Sequence, residues 1–127
     1  MTTKTRSATA ISERAHREAV AESIPSITEF LADLLGARLT AHMTRVDTST
    51  VSRWKSGDSA PKADAEQRLR ATHHVARLLL AGDASDTVRA WFIGMNPELG
   101  DVSPAEVIRE GRLQDALGAA RAFVVNG

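Results

Sequence analysis

Residues 91–111 read WFIGMNPELGDVSPAEVIREG. An aromatic-apolar helix end (Trp91, Phe92, Ile93) meets Gly94, and Pro97 then pushes Asn96 into extended backbone. Leu99-Gly100-Asp101 turns the chain. Ser103-Pro104-Ala105-Glu106 starts a new helix, with serine as cap, proline in the first position and glutamate in the third. Val107 and Ile108 are apolar and inward, and Gly111 stops the helix. So much punctuation in one stretch predicts a specific helix–loop–helix, in which Trp91, Pro97, Leu99 and Ile108 hold shape.

On the C-terminal side, Leu113, Leu117, Ala120 and Val124 follow a helical spacing, predicting a last helix over 113–125 with an apolar end. On the N-terminal side, helices are predicted over 62–81, with Ala65, Leu69, Thr72, Ala76, Leu79 and Leu80 on one face, and over 85–94. The first ordered helix is expected to begin at Ser26, capped by its hydroxyl with Glu29 reaching back. Ile27, Phe30, Leu31, Leu34 and Leu35 form its stripe, and a left-handed Gly36 ends it. No segment alternates with period two, so the expected fold is all-α. Residues 1–22 carry few large apolar groups and are expected as a mobile arm with a frayed helix over 11–21.

Between the first helix and the long one lies AHMTRVDTSTVSRWKSG, residues 41–57. A helix-turn-helix needs a small residue where its helices cross, an apolar residue in the turn, and apolar residues three apart in the second helix. Ala41, Val46, Val51 and Trp54 supply these, with Leu39 and Met43 inward on the first helix. Thr48 is the expected cap of the second helix and Gly57 its stop. The turn position that glycine often holds is Arg45, where positive φ costs about 1 kcal/mol, so a slightly different turn is expected. With Val51 and Trp54 inward, Ser49, Thr50, Ser52, Arg53 and Ser56 project outward. Short hydroxyls around an arginine suit a major groove, with Arg53 on a guanine edge. Lys55, Arg38 and Lys62 would neutralise phosphates. The charge distribution agrees. Over 37–77 eight basic residues face four acidic ones, net +4, whereas over 78–127 four face seven, net −3. The whole chain balances sixteen of each.

In Trp91, Asn96-Pro97, Leu99-Gly100, Pro104, Ile108 and Gly111, in that order behind a helix-turn-helix, the chain resembles the Xre/MbcA/ParS-type antitoxins. The resemblance covers about residues 27–125. Behind the flexible arm (1–22) expected from composition, it implies an Xre-like DNA-binding domain (23–82) and a small helical toxin-binding domain (83–127). It implies a type II antitoxin that represses its own operon. Its partner would be a RES-domain toxin that degrades NAD or transfers its ADP-ribose, with the antitoxin covering the NAD pocket. Arg121, Phe123, Val124, Val125, Asn126 and Gly127 are then the expected toxin contacts. Apolar side chains and a terminal carboxylate would suit a pocket built for an anionic dinucleotide. Two other readings stand beside this one. The chain is a stand-alone Xre-type regulator whose C-terminal module dimerises, or an interaction module whose helix-turn-helix is vestigial. The tail itself would otherwise close the chain's own core or a homodimer interface.

Enzyme readings fare poorly. His73 and His74 are adjacent, so on a helix they diverge and cannot share a metal. His42 sits on the short first helix of the DNA-binding unit and His16 in the arm. No HExxH, glycine-rich phosphate loop or nucleophile elbow occurs, and neither a catalytic residue, a metal nor a cofactor is expected. With no cysteine, no bilayer-length apolar run and no apolar signal-like segment near residue 1, the expected compartment is the cytoplasm.

Overall fold

The computed structural model describes residues 22–126. Helix α1 (Ile24–Leu35) starts earlier than expected. Its cap is Ser23, not Ser26: the Ser23 hydroxyl accepts the Ser26 N–H at 3.2 Å, and Pro25 occupies the first turn, where no amide bond is needed. Ile27, Leu31 and Leu35 are buried and Phe30 and Leu34 flank them. Gly36 ends the helix at φ 92, ψ 151, a region essentially reserved for glycine but outside the left-handed helical one. The difference arises because Gly36 also precedes α2 (Ala37–Thr44) directly, so one residue makes the whole corner.

Between α2 and α3 (Thr48–Ser56) lie Arg45, Val46 and Asp47. The turn keeps the glycine-type geometry after all: Arg45 takes φ 65, ψ 40. Its strain is held by a closed helix end, with the Arg45 N–H on the His42 carbonyl (3.3 Å) and the Val46 N–H on that of Ala41 (3.0 Å). Asp47, not Thr48, caps α3. One carboxylate oxygen accepts from the Thr50 amide, the Thr50 hydroxyl and the Ser49 hydroxyl, each at 2.8 Å. A lone threonine hydroxyl cannot match three donors. These bonds hold the Asp47 carboxyl down at about 2. Val51 and Trp54 are buried and Gly57 stops the helix at φ 84, as expected.

Helix α4 (Ala63–Leu80) is the spine. It buries Ala65, Leu69, Val75, Ala76 and Leu79, packing on α1 on one side and the final helix on the other. Helix α5 (Ser85–Ile93) buries Val88, Trp91 and Phe92. A 3-10 turn (Pro97–Leu99) follows, capped by the Asn96 side chain, which accepts the Glu98 N–H at 2.9 Å. Leu99 is buried but Pro97 is exposed, so Pro97 shapes the turn without joining the core. Helix α6 (Pro104–Arg109) has the expected Ser103 cap and ends before Gly111 at φ 84. Helix α7 (Leu113–Asn126) completes the chain. Its buried face is Ala116, Ala119 and Ala120, with Leu113, Leu117 and Phe123 half-buried, and Val124 lies outside the stripe. Alanines face inward because α4 approaches closely there.

Among the described residues there are seven α-helices and no strand beyond one isolated bridge between Asn96 and Val102. The fold is all-α. One core runs from Ile27 on α1 to Ala120 on α7, so residues 23–82 and 83–126 share it. Of the arm expected over 1–22, only Glu22 is described: its carbonyl accepts from Arg70 (3.0 Å) and its carboxylate sits 2.9 Å from the His73 ring. The helix expected over 11–21 and His16 lie outside the described residues.

Candidate functional site

Two surfaces hold the residues singled out from the sequence. The first is the outer face of α3, which rests on Val51 and Trp54 below it. Ser52, Arg53, Lys55 and Ser56 are exposed, as is Ser49, and Thr50 is half-buried. The hydroxyls are partly committed within the helix: Ser49 and Thr50 donate to Asp47, and Ser56 donates to the Arg53 carbonyl at 3.1 Å. Arg53 is oriented by its neighbour, donating to the Thr50 hydroxyl at 3.0 Å. Asp47, Thr50 and Arg53 thus form a chain along the helix that sets the guanidinium in place. Each hydroxyl retains acceptor capacity outward.

Beside this face, a cleft of about 400 Å³ is bordered by Arg45, Thr50, Trp54, Pro61 and Lys62. It brings Lys62 to the same side, together with Arg45, which the sequence reading treated only as a turn defect. A left-handed residue throws its side chain off the helix face. Arg38 is elsewhere, lining a separate shallow cavity with Arg89 and Ile93 at the start of α2.

The basic count over 37–77 also overstates this face. Arg68 is turned inward, donating to the Ile108 and Arg109 carbonyls at 3.1 and 3.2 Å. Arg70 bonds Glu66 and the Glu22 carbonyl. Arg77 lies over the Phe30 ring, 4.2 Å from its centroid. Three cations of that segment therefore serve packing.

The second surface surrounds the end of α7. Of the expected toxin contacts, Arg121, Val124, Val125 and Asn126 are exposed, whereas Gly127 lies outside the described residues. Phe123 turns inward, its ring tilted 6.5 Å from that of Trp91, which itself meets Phe92 edge-on at 5.2 Å. The reason is periodicity: Ala116, Ala119, Ala120 and Phe123 share one helical side. Between Phe123 and the 3-10 turn runs a largely apolar groove of about 350 Å³, bordered by Trp91, Met95, Pro97, Ala122 and Asn126. Among the described residues the large apolar side chains left outside are Ile93 (58% exposed), Met95 (81%), Val124 and Val125; Met95 borders this groove, whereas Ile93 borders the cavity beside Arg38. Sequence reasoning missed Ile93 and Met95. Trp91 and Phe92 facing inward on α5 leave Ile93 on its outer side, which was the signal.

Among the described residues the histidines do not gather. His73 is buried between Glu22, Phe30 and Arg77, and burial pushes its pKa down against the pull of Glu22. His74 is exposed. Among the described residues no group of three or more His, Asp or Glu is placed to hold a metal ion, and no helix is long and apolar enough to cross a membrane.

Among solved structures, the chain is similar to one in the crystal structure of the M. tuberculosis MbcT-MbcA toxin-antitoxin complex. The match has a TM-score of 0.69 at 24% sequence identity and covers 80% of this chain and 94% of that one. The two share a fold. No protein-family model and no curated protein matches the sequence. At that identity the shared fold is what carries over.

Proposed function

We propose that this chain is a type II antitoxin with two working faces. The end of α7, with Met95 beside it, binds and covers the NAD pocket of a RES-domain toxin. The outer face of α3 binds operator DNA through Arg53, Ser52 and Lys55, with Arg45 and Lys62 on phosphates. The observation that carries the reading is the apolar groove between Phe123 and the 3-10 turn, with exposed Met95 at its border and Val124 and Val125 exposed on the helix that forms its other side. Apolar patches of this kind on small proteins mark association surfaces. The fold shared with a chain of a toxin–antitoxin complex and the order of residues 91–111 support the same reading.

The chemistry of each face is simple. Val124 and Val125 sealed from water would contribute about 3 kcal/mol together before ordering costs. Phe123 stays against Trp91 and supports the helix that presents them. On α3, Arg53 arrives already positioned by Thr50 and Asp47, which lowers the ordering cost of a guanine contact.

The test is co-expression with the neighbouring toxin gene. Wild-type chain should restore growth and co-purify with the toxin. Val124→Asp combined with Val125→Asp should lose both while keeping the fold, since neither side chain is in the core. Deletion of the whole tail from residue 122 is less clean, because it also removes Phe123 from Trp91. A wild-type chain that pulls down no toxin, but whose dimer dissociates in the double aspartate variant, would favour a stand-alone regulator that dimerises through this face.

A further inference from the structure

We propose that Glu106 and Arg109 are positioning residues for DNA binding: reaching from α6, they clamp His42 near the end of α2 and so fix the turn that aims α3. This rests on the reading of α3 as a DNA-binding helix, and goes beyond it by placing two of its determinants in the other half of the chain.

Glu106 and Arg109 are three residues apart on α6 and therefore share a side. Both meet the same residue. The Glu106 carboxylate pairs with the His42 ring nitrogen Nε2, and Arg109 Nη1 donates to the His42 carbonyl at 2.6 Å. Sequence separations of 64 and 67 residues make this a tertiary device. Helix α2 packs broadly on α6, so the clamp sits at the rim of an established contact.

Its position matters more than its strength. The His42 carbonyl is also the acceptor for the Arg45 amide. Arg109 thus adds a cation where the dipole of α2 favours one, on the carbonyl that closes the Arg45 turn. Arg45 sits at φ 65 without being glycine. Such a residue persists only where its surroundings over-determine it. Beyond Arg45, only Val46 and Asp47 precede α3, so freedom at the turn passes directly into the aim of Arg53. Loss of the clamp lowers the fraction of molecules with α3 aligned, and the apparent affinity falls by that fraction.

The probe is a labelled duplex carrying the promoter region upstream of this chain's own gene, titrated across salt concentrations well below the melting temperature. Arg109→Ala should weaken binding about three- to tenfold, the scale of one charge-assisted hydrogen bond discounted for solvent exposure. The slope of log affinity against log salt should not change, because Arg109 neutralises no phosphate. Arg109→Lys should recover most of the loss, and Glu106→Ala should weaken binding in the same direction. Amide exchange at Arg45 and Val46 should quicken in Arg109→Ala while core amides of α4 stay protected. Unchanged affinity in Arg109→Ala, or a salt slope reduced by about one (the signature of a direct phosphate contact), overturns the proposal. A wild-type chain that binds no promoter duplex overturns the DNA-binding reading, and the proposal with it. That result is distinct from a wild type and variant that bind alike.

Discussion

Arg68 makes the sharpest test of how the two halves are joined. Its side chain is only 12% exposed. It leaves α4 to donate from Nε to the carbonyls of Ile108 and Arg109, at 3.1 and 3.2 Å, and from Nη1 to the Asp64 carbonyl at 3.2 Å. The last carbonyls of a helix have no partner within it, so this guanidinium closes the C-terminus of α6 from across the core. Arg68→Met keeps much of the stem and removes every donor. A hydrogen bond to a charged group is worth about 1.5–3 kcal/mol, but the three share one desolvated group and do not add, so the expected loss is about 2–4 kcal/mol. At about 4 °C per kcal/mol for a chain of this size, the melting temperature should fall by about 8–16 °C.

A second substitution checks the cause. Gly111 follows α6 at φ +84, and a Cβ there would lie 3.1 Å from Arg68 Nη2. Gly111→Ala should cost about 1 kcal/mol for the left-handed backbone, plus the crowding of Arg68. In the Arg68→Met background only the backbone cost remains, so the double variant should be more stable than the sum of the two losses requires. Thermal and urea unfolding followed by far-UV circular dichroism give all four values. An Arg68→Met variant melting within about 2 °C of wild type would refute the assignment of Arg68 as a structural tie. It would also return Arg68 to the pool of cations available for DNA.

Further outcomes follow from other sites. Arg53→Ala should abolish promoter binding in a gel-shift assay and leave toxin neutralisation intact; retained binding would remove α3 as the reading helix. Wild-type promoter affinity should fall steeply with salt, since the phosphate contacts release counterions, and a flat response would favour a vestigial helix-turn-helix. Asp47 should give α3 an acid-labile cap. Its carboxyl is lowered from 3.8 to about 2 in the folded chain, so its contribution is complete above about 4 and lost as pH falls toward 2. Asp47→Asn, which keeps an acceptor oxygen but not the charge, should remove that part of the pH dependence, read as the difference between the two unfolding curves across this range. His73 works in the same direction at higher pH. Its lowered pKa favours the neutral ring when folded, so stability should decline as pH drops below about 6.5, and His73→Gln should flatten that decline.

What was legible in the sequence was local. Gly57 and Gly111 take positive φ where helices were expected to stop, and Ser103-Pro104 starts α6 as its composition dictates. Caps were less legible where candidates crowd. Residues 47–50 read Asp-Thr-Ser-Thr, four groups each able to cap, and the carboxylate prevails because one oxygen serves three donors at once. Arg45 shows the opposite failure, since its propensity argued against a turn that tertiary contacts then enforce. The outward residues on α3 could be read because Val51 and Trp54 fix which side is inward. Arg38 could not, as its place depends on how α2 meets α5. Phe123 was less legible on the other face. Its spacing from Ala116, Ala119 and Ala120 turns it inward and leaves Val124 and Val125 outside, but that it meets the Trp91 ring, on a different helix, is a tertiary fact that no local pattern carries.

These long-range contacts bear on how the two faces work together. The described residues share one core, and α4 lies against both α1 and α7. Arg68 ties α4 to the end of α6, and Arg109, on that same end, holds the carbonyl that closes the α2 turn. Helix α6 also packs on α7, whose end carries the exposed valines. Under the proposed function, a partner that shifts α7 would act on α6, and α6 on the turn before α3, through packed helices. Thermodynamic linkage makes such coupling reciprocal: a partner on α7 that tightens DNA binding must itself bind more tightly when DNA is present, by the same factor. Measuring partner affinity with and without the promoter duplex, in wild type and in Arg109→Ala, isolates the path. A coupling factor that shrinks toward one in the variant places α6 on it, and one that is unchanged by the substitution places the coupling elsewhere.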